Sequence, residues 1–294
     1  MSAAHVVLLV ANVVFATSYT VTRIALVDIP PITLGLARSL VGAVALGLWA
    51  APAMTRRRIA PADHVRMALM GLVGFAAAFG FSHWGLARST ASNAALLITV
   101  EPTSIILLSP VLLGERLSRR EALGAALALV GAVVVVINGV PGFTQAIAPH
   151  WRGDLLLVLG GLAYGGYSLL GRDVLVRHPV LVVTAYSILW GSAAMVPLAA
   201  LEWSHGERAV WTASAIGATL YLGLVITALG YATWNWCLER LGASRVAIFV
   251  NLQPLVGALL GVWWLSEPLT GFTVAGGLLI LTGLHLTVKA RPKE

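Results

Sequence analysis

"EPTSIILLSPVLLGERLSRREALGAALALVGAVVVV", residues 101–136, returns 152 residues later in altered form as "QPLVGALLGVWWLSEPLTGFTVAGGLLILTGLHLTV", residues 253–288. Eleven of the 36 aligned positions are identical. Shared leucines and valines carry little weight in apolar sequence. Pro102/Pro254, Glu115/Glu267, Gly124/Gly276 and Gly131/Gly283 carry more, because polar or conformational punctuation rarely matches as a set. An offset of 149 continues the match near the start of each half, pairing Arg23 with Arg172, Pro30 with Pro179 and Gly42 with Gly191. The chain is therefore read as a duplication with halves 1–145 and 146–294.

Composition says what each copy is made of. A hydrophobic fraction of 59% with 11% charged residues, and a mean hydropathy of +0.89, lie far outside the range of soluble domains. A helix that crosses a bilayer needs about 20 mainly apolar residues. Ten such runs lie near 5–25, 32–51, 65–86, 92–113, 119–138, 153–171, 179–201, 211–238, 244–265 and 269–288. Five spans per half is an odd number, so the second half must enter the bilayer upside down relative to the first. The predicted fold is an all-α integral membrane protein: ten transmembrane helices in two inverted five-helix repeats around a central cavity. Secondary transporters are built this way, with the substrate site near the midplane between the halves. The first run lacks a basic leader and is too long for a secretory signal, so it is read as an uncleaved span.

Lys and Arg collect in cytoplasmic loops. With the N-terminus inside, 14 of the 19 basic residues fall on inner loops and the tail, including Arg56, Arg57, Arg58, Arg116, Arg119, Arg120, Arg240, Arg245, Lys289 and Lys293. Both termini are thus placed in the cytoplasm and the chain in a bacterial-type inner membrane. The net charge of +7 is read as this topology signal, and no nucleic-acid partner is expected, since that would need a basic soluble face. Tryptophans agree with the registration, with Trp84, Trp151, Trp203, Trp211, Trp263 and Trp264 near outer ends and Trp49 and Trp236 near inner ones. Trp190 at mid-span is the exception, and core packing is one reading of it. The single Cys237 offers no disulfide within the chain and no metal cluster.

Two five-helix halves, each closing with Pro, an apolar run, "GERLS" (114–118) or "SEPLT" (266–270) and a Gly-rich span, together with "ARSLVGA" (37–43) on the second span, resemble the EamA family of the drug/metabolite transporter superfamily. The likeness covers essentially the whole chain, and in size and aromatic content the chain resembles the ten-helix YddG-type amino-acid exporters of that family. The resemblance implies a basket of helices around a central cavity, export of small metabolites and no ATP-hydrolysing domain. No GxxxxGK[ST] loop is present to cradle a nucleotide, and no cofactor is expected.

Ionisable groups inside a membrane are costly and are functional suspects by default. Glu101 lies near the midplane of the fourth span and Arg38 in an early turn of the second. Glu101 has two readings: a proton or substrate site, or a permanent counter-charge to Arg38, which a rise of 1.5 Å per residue places within roughly 5 Å of it in depth. Pro102 and Pro254 remove a backbone donor and should kink the fourth and ninth spans at the level of Glu101 and its repeat partner Gln253. Freed carbonyls at that depth need protein or a wet cavity. Asn12, Phe15, His83, Tyr164 and Trp234 with Asn235 complete the candidate lining. Phe15 matches Tyr164 at the 149 offset, and "GGLAYGGYS" (160–168) surrounds the tyrosine with residues that permit close approach. An interhelical hydrogen bond is the other reading of Asn12, and solvation at the interface the other reading of His83. Glu115 and Glu267 are read as structural, capping the following helix or pairing with a nearby Arg.

The expected function is a secondary exporter of amino acids, aromatic or other neutral ones, and similar small metabolites, working by alternating access. A passive facilitator or channel on the same scaffold is the alternative. An enzyme is not expected, because no HExxH, nucleophile elbow or Cys/His ligand set occurs in the spans. The partners expected are a small-molecule substrate and the lipid bilayer. The small residues of the fifth and tenth spans are assigned to packing within a monomer, with a dimer face as the other possibility.

Overall fold

The computed structural model describes residues 3–56, 59–113, 117–142, 150–241, 249 and 252–290. Helices form wherever apolar runs are long and polar caps stop them. They are α1 (Ala3–Ala25), α2 (Pro31–Arg56), α3 (Pro61–Ala87), α4 (Ala91–Leu97 and Val100–Leu113 stacked end to end), α5 (Arg119–Asn138) and α6 (Trp151–Arg177). Then follow α7 (Val180–Ser204), α8 (213–241), α9 (Leu252–Leu265) and α10 (Gly271–Ala290). Side-chain caps mark several starts. Thr90 accepts the Asn93 N–H at the head of α4, and Thr212 the Ala215 N–H at the head of α8. Ser118 and Glu121 form a reciprocal capping box on α5.

Among the described residues eight helices are long and apolar enough to cross a membrane, and Leu252–Leu265 and Gly271–Thr287 are shorter apolar stretches. The ten spans read from the sequence are met there by eight candidates and these two stretches. The expected ninth span begins at 244, and residues 244–248, 250 and 251 lie outside the described set. Large aliphatic residues such as Val44, Leu48, Val130, Leu189, Leu259 and Leu278 stand exposed on the outward faces, as lipid-facing positions should.

The glycines of the repeat lock helices together in pairs. A Cβ on Gly131 would sit 2.6 Å from the Gly276 carbonyl oxygen, and one on Gly124 2.6 Å from that of Gly283. The pairing 124 with 283 and 131 with 276 runs in opposite directions along the chain, so α5 and α10 pack antiparallel with backbones in contact. Elsewhere Gly42 of α2 faces Gly223 of α8, while Gly191 of α7 meets Gly71 of α3. Both α3 and α8 contain a π-helical stretch, Leu72–Ala77 and Tyr221–Leu229, beside those glycines. In the second, Thr227 Oγ1 donates to the Leu222 carbonyl five residues back (2.9 Å), matching the wider turn.

The sequence places the kink of the fourth span at Glu101, whereas the break falls one turn earlier, at Ile98–Thr99. Pro102 has no N–H to give the Ile98 carbonyl, which instead accepts the Glu101 N–H in a three-residue step (3.0 Å). Hydroxyls satisfy the loosened carbonyls: Thr99 Oγ1 donates to Leu96 O (2.6 Å), Thr103 Oγ1 to Thr99 O (2.9 Å) and Ser104 Oγ to Glu101 O (2.7 Å). Pro254 stands in the first turn of α9, which the structure describes from Leu252 onward.

Carboxylates tie the helix ends. Glu202 at the end of α7 accepts the N–H groups of Ile32 (2.8 Å) and Thr33 (2.9 Å) and the Thr33 hydroxyl (3.0 Å), capping α2. Glu267, expected to cap the helix after it or to pair with Arg, instead caps α4. It accepts Ala91 N–H (2.6 Å), Ser92 N–H (2.8 Å) and the Ser92 hydroxyl (2.6 Å). The reason is local: Ser266 turns left-handed (φ 54°), folding the chain back so that Glu267 N–H reaches the Gly261 carbonyl and its side chain points across to α4. Glu115 lies outside the described residues.

Candidate functional site

Charge inside an apolar bundle must be paired, hydrogen-bonded or turned to water. Asp154 follows the rule completely: wholly buried at the head of α6, it is met by the His150 ring (2.7 Å), Asn93 Nδ2 (3.2 Å) and the Ser89 hydroxyl. At the opposite ends of these helices Asp63 of α3 accepts from Arg177 (2.6 Å) and contacts His178 (2.8 Å), fastening α3 to the α6–α7 turn. Those groups are structural ties.

Arg38 is different. It is 7% exposed, its Nε has no acceptor among the described residues, and its guanidinium lies 4.8 Å from the centroid of the Phe79 ring. Pairing with Glu101, one of the two readings of that carboxylate, is not formed: among the described residues no carboxylate lies within 4 Å of Arg38. The α4 break sets Glu101 where α4 packs against α6: a Cβ on Gly161 would stand 3.3 Å from the Glu101 amide nitrogen, and one on Gly165 3.2 Å from its carbonyl oxygen. There the Glu101 carboxylate is partly exposed and accepts no hydrogen bond among the described residues. Tyr19 of α1, Tyr164 of α6 and Tyr231 of α8 lie within electrostatic reach of both charges. The Tyr164 and Tyr231 hydroxyls are hydrogen-bonded to each other. Tyr164 also packs against Tyr167, with ring centroids 5.4 Å apart.

The remaining expected residues divide. Phe15 packs edge-on against Trp234 (6.2 Å) and lies against Gly230, joining α1 to α8 near the tyrosines. Asn12 is fully buried; its Nδ2 donates to Leu8 O (2.8 Å) and its Oδ1 accepts from Gln253 (2.8 Å), so the amide pair bridges α1 and α9. His83, for which interfacial solvation was one expectation, is 3% exposed. It is wedged against Gly35 and 5.6 Å from Phe79, with Nδ1 unpartnered among the described residues. Trp190 is half-exposed on the outer surface, because Gly71 and Gly191 bring α3 and α7 too close to admit an indole between them. It lines an apolar groove of about 300 Å³ with His64, Val65, Leu69 and Leu72, away from the interior charges. The Asn235 side chain lies outside the described set.

Tyr19, Phe79 and Tyr231 were missed from sequence. A signal existed for each: Tyr19 is one turn beyond Phe15, and Phe79 and Tyr231 match each other at the 152 offset. Among the described residues Arg38 and Glu101 thus stand on different helices without ion-pair partners, and a run of packed rings, Phe79, Phe75, Tyr167 and Tyr164, leads from the Arg38 guanidinium to the Tyr164–Tyr231 hydroxyl pair.

Comparison with known proteins points to a family of transporters. The model of the EamA-like transporter family matches residues 2–137 and 151–289. A probable terminal-alkyne amino-acid exporter of Streptantibioticus cattleyicolor is 29% identical over 279 residues, 95% of this chain and 91% of that one. A probable amino-acid metabolite efflux pump of Escherichia coli is 25% identical over 300 residues, covering 96% and 94%. An uncharacterized transporter of Archaeoglobus fulgidus is 26% identical over 286 residues, covering 97% of each. One crystal structure superposes with a TM-score of 0.65 at 25% identity, over 99% of this chain and 97% of that one.

Proposed function

Because the chain belongs to the EamA-like transporter family, we propose that it is a secondary carrier that exports amino acids, aromatic or other neutral ones first, and similar small metabolites. The route is alternating access across a bacterial inner membrane, with both termini cytoplasmic. The observation that carries this reading is the interior cluster of Arg38, Glu101 and the tyrosines. Solitary charges are expensive at that depth and have a use when a polar solute visits.

Two halves, 1–145 and 146–294, arranged as inverted five-helix repeats suit the contacts. Exchanging Gly42 with Gly191 and Gly71 with Gly223 converts the α2–α8 contact into the α7–α3 contact. Exchanging Gly124 with Gly276 and Gly131 with Gly283 converts each α5–α10 glycine contact into the other. Self-complementary contacts of this kind are what a two-fold axis produces. Since α5 and α10 run antiparallel, the axis lies across the helices, in the membrane plane. A carrier built on it would alternate by exchanging the roles of the two halves.

A ligand that binds only the folded protein stabilises it by mass action, about 2.7 kcal/mol at a hundred times its Kd. In a melting screen of the purified protein against the twenty amino acids and several cationic drugs, aromatic amino acids are expected to raise Tm by several degrees. A response to the drugs alone contradicts the amino-acid assignment.

A further inference from the structure

Two of the helix pairs are copies of each other. In one, α4 lies on α6, with the Glu101 backbone against Gly161. In the other, α9 lies on α1, and Gln253 donates to Asn12 (2.8 Å). Gln253 is the repeat partner of Glu101 at the 152 offset and Asn12 that of Gly161 at the 149 offset, so the same positions join each pair. The two pairs meet at the head of α4. A Cβ on Gly257 of α9 would stand 2.6 Å from the Ala95 Cβ, and one on Gly261 2.8 Å from the Ser92 amide nitrogen.

We propose that this seam between α4 and α9 is the outer gate of the carrier and that Glu267 is its latch. The gate rests on the carrier reading and specifies where the bundle opens toward the outer side.

Three observations converge. The seam is shut: every residue of Ala91–Leu97 is buried, Ala95 at 0% exposure. One carboxylate crosses it. Glu267, on the turn that follows α9, accepts the Ala91 N–H (2.6 Å), the Ser92 N–H (2.8 Å) and the Ser92 hydroxyl (2.6 Å) of α4. It is half-buried, so water can take over both the carboxylate and the freed donors when the seam parts. Asp154 of α6 holds the same stretch through Asn93 (3.2 Å) and Ser89, a tie inside the α4–α6 pair that parting leaves intact. Lastly, the seam covers the candidate site. Gly257 lies against Tyr19 and Ala16 of α1. Gln253 is four residues before Gly257 and Glu101 six beyond Ala95, or ~6 and ~9 Å along their helices. Parting α4 from α9 therefore opens a way from the outer end to Tyr19, Glu101 and Gln253, as exchange between two repeat-related units requires.

The test reads seam opening without any substrate. Ala95→Cys places a thiol on the seam, and its rate of labelling by N-ethylmaleimide in the purified protein follows how often the seam opens. Native Cys237, buried beside Leu8, reports general loosening in the same molecule. Glu267→Gln is expected to raise the Ala95→Cys rate at least about tenfold, the effect of removing a hydrogen bond to a charged group, with the Cys237 rate unchanged. Glu202→Gln, which disturbs a comparable cap at the head of α2, should lower Tm and leave the Ala95→Cys rate near its parent value. If Ala95→Cys does not fold, the nearly isosteric Ser92→Cys takes its place. An unchanged rate, an equal rise at Cys237, or the same rise in Glu202→Gln overturns the latch. The bound maleimide should also stop counterflow in liposomes, and full transport by the labelled protein overturns the gate. If the unlabelled wild type shows no counterflow of any amino acid, the carrier reading falls on its own, and the labelling rates still decide the latch.

Discussion

Gly131→Leu should yield no stable monodisperse protein. A Cβ at this position would already lie 2.6 Å from the Gly276 carbonyl oxygen and 2.8 Å from the Ile280 amide nitrogen, and both are helix backbone that no rotamer change can move. Three further carbons must force α5 and α10 apart along an antiparallel seam that joins the ends of both halves. Overpacking a well-filled core costs about 1–3 kcal/mol even where side chains can yield. Here the cost is at least about 3 kcal/mol, a large share of the stability of an ordinary domain. Gly217→Leu is the matched control, since a Cβ there meets nothing within 4 Å, and its Tm should stay near wild type. Size-exclusion and melting profiles of the two variants in one detergent check the contrast. A Gly131→Leu protein as stable as Gly217→Leu would mean that α5 and α10 do not touch as described.

Glu101→Gln should lower amino-acid transport at least about tenfold, seen as a raised KM, with Tm little changed. The two halves of that expectation separate a substrate contact from a scaffold role. The carboxylate accepts no hydrogen bond among the described residues, so its charge holds no helix in place. A scaffold carboxylate such as Glu202, which accepts two N–H groups and a hydroxyl at the head of α2, should lose stability when neutralised. Glu101→Asp should recover part of the loss. Transport at the normal rate with unchanged pH dependence would remove Glu101 from substrate and proton handling alike.

Much of the scaffold is visible in the sequence because its determinants are local or repeated. Gly124, Gly131, Gly276 and Gly283 stand out against leucine and valine, and they are the residues at which α5 and α10 meet. Arg38 and Glu101 stand out for the same reason, as charges in greasy runs. What the sequence conceals depends on rotation and on reach. Depth alone pairs Arg38 with Glu101, but the Pro102 break and the glycines of α6 draw Glu101 to one face while Phe79 occupies the face of the guanidinium. Trp190 and His83 are placed by helix rotation: the Gly71–Gly191 contact expels the indole, and Gly35 admits the imidazole. Glu267 is the hardest case, since its partner is the head of a helix about 175 residues away and is set by one left-handed serine. Tyr231 and Phe79 could have been paired by the repeat offset, but an aromatic in an apolar run does not draw attention by itself.

The central claim, a carrier with a saturable amino-acid site inside the bundle, is tested most directly by counterflow. Liposomes containing the purified protein are loaded with unlabelled amino acid, and entry of the labelled form is followed. A carrier of this kind gives a transient overshoot that saturates with external concentration and is lost in Arg38→Gln. Linear uptake, indifferent to internal amino acid and unchanged in that variant, would mark a pore and contradict the site.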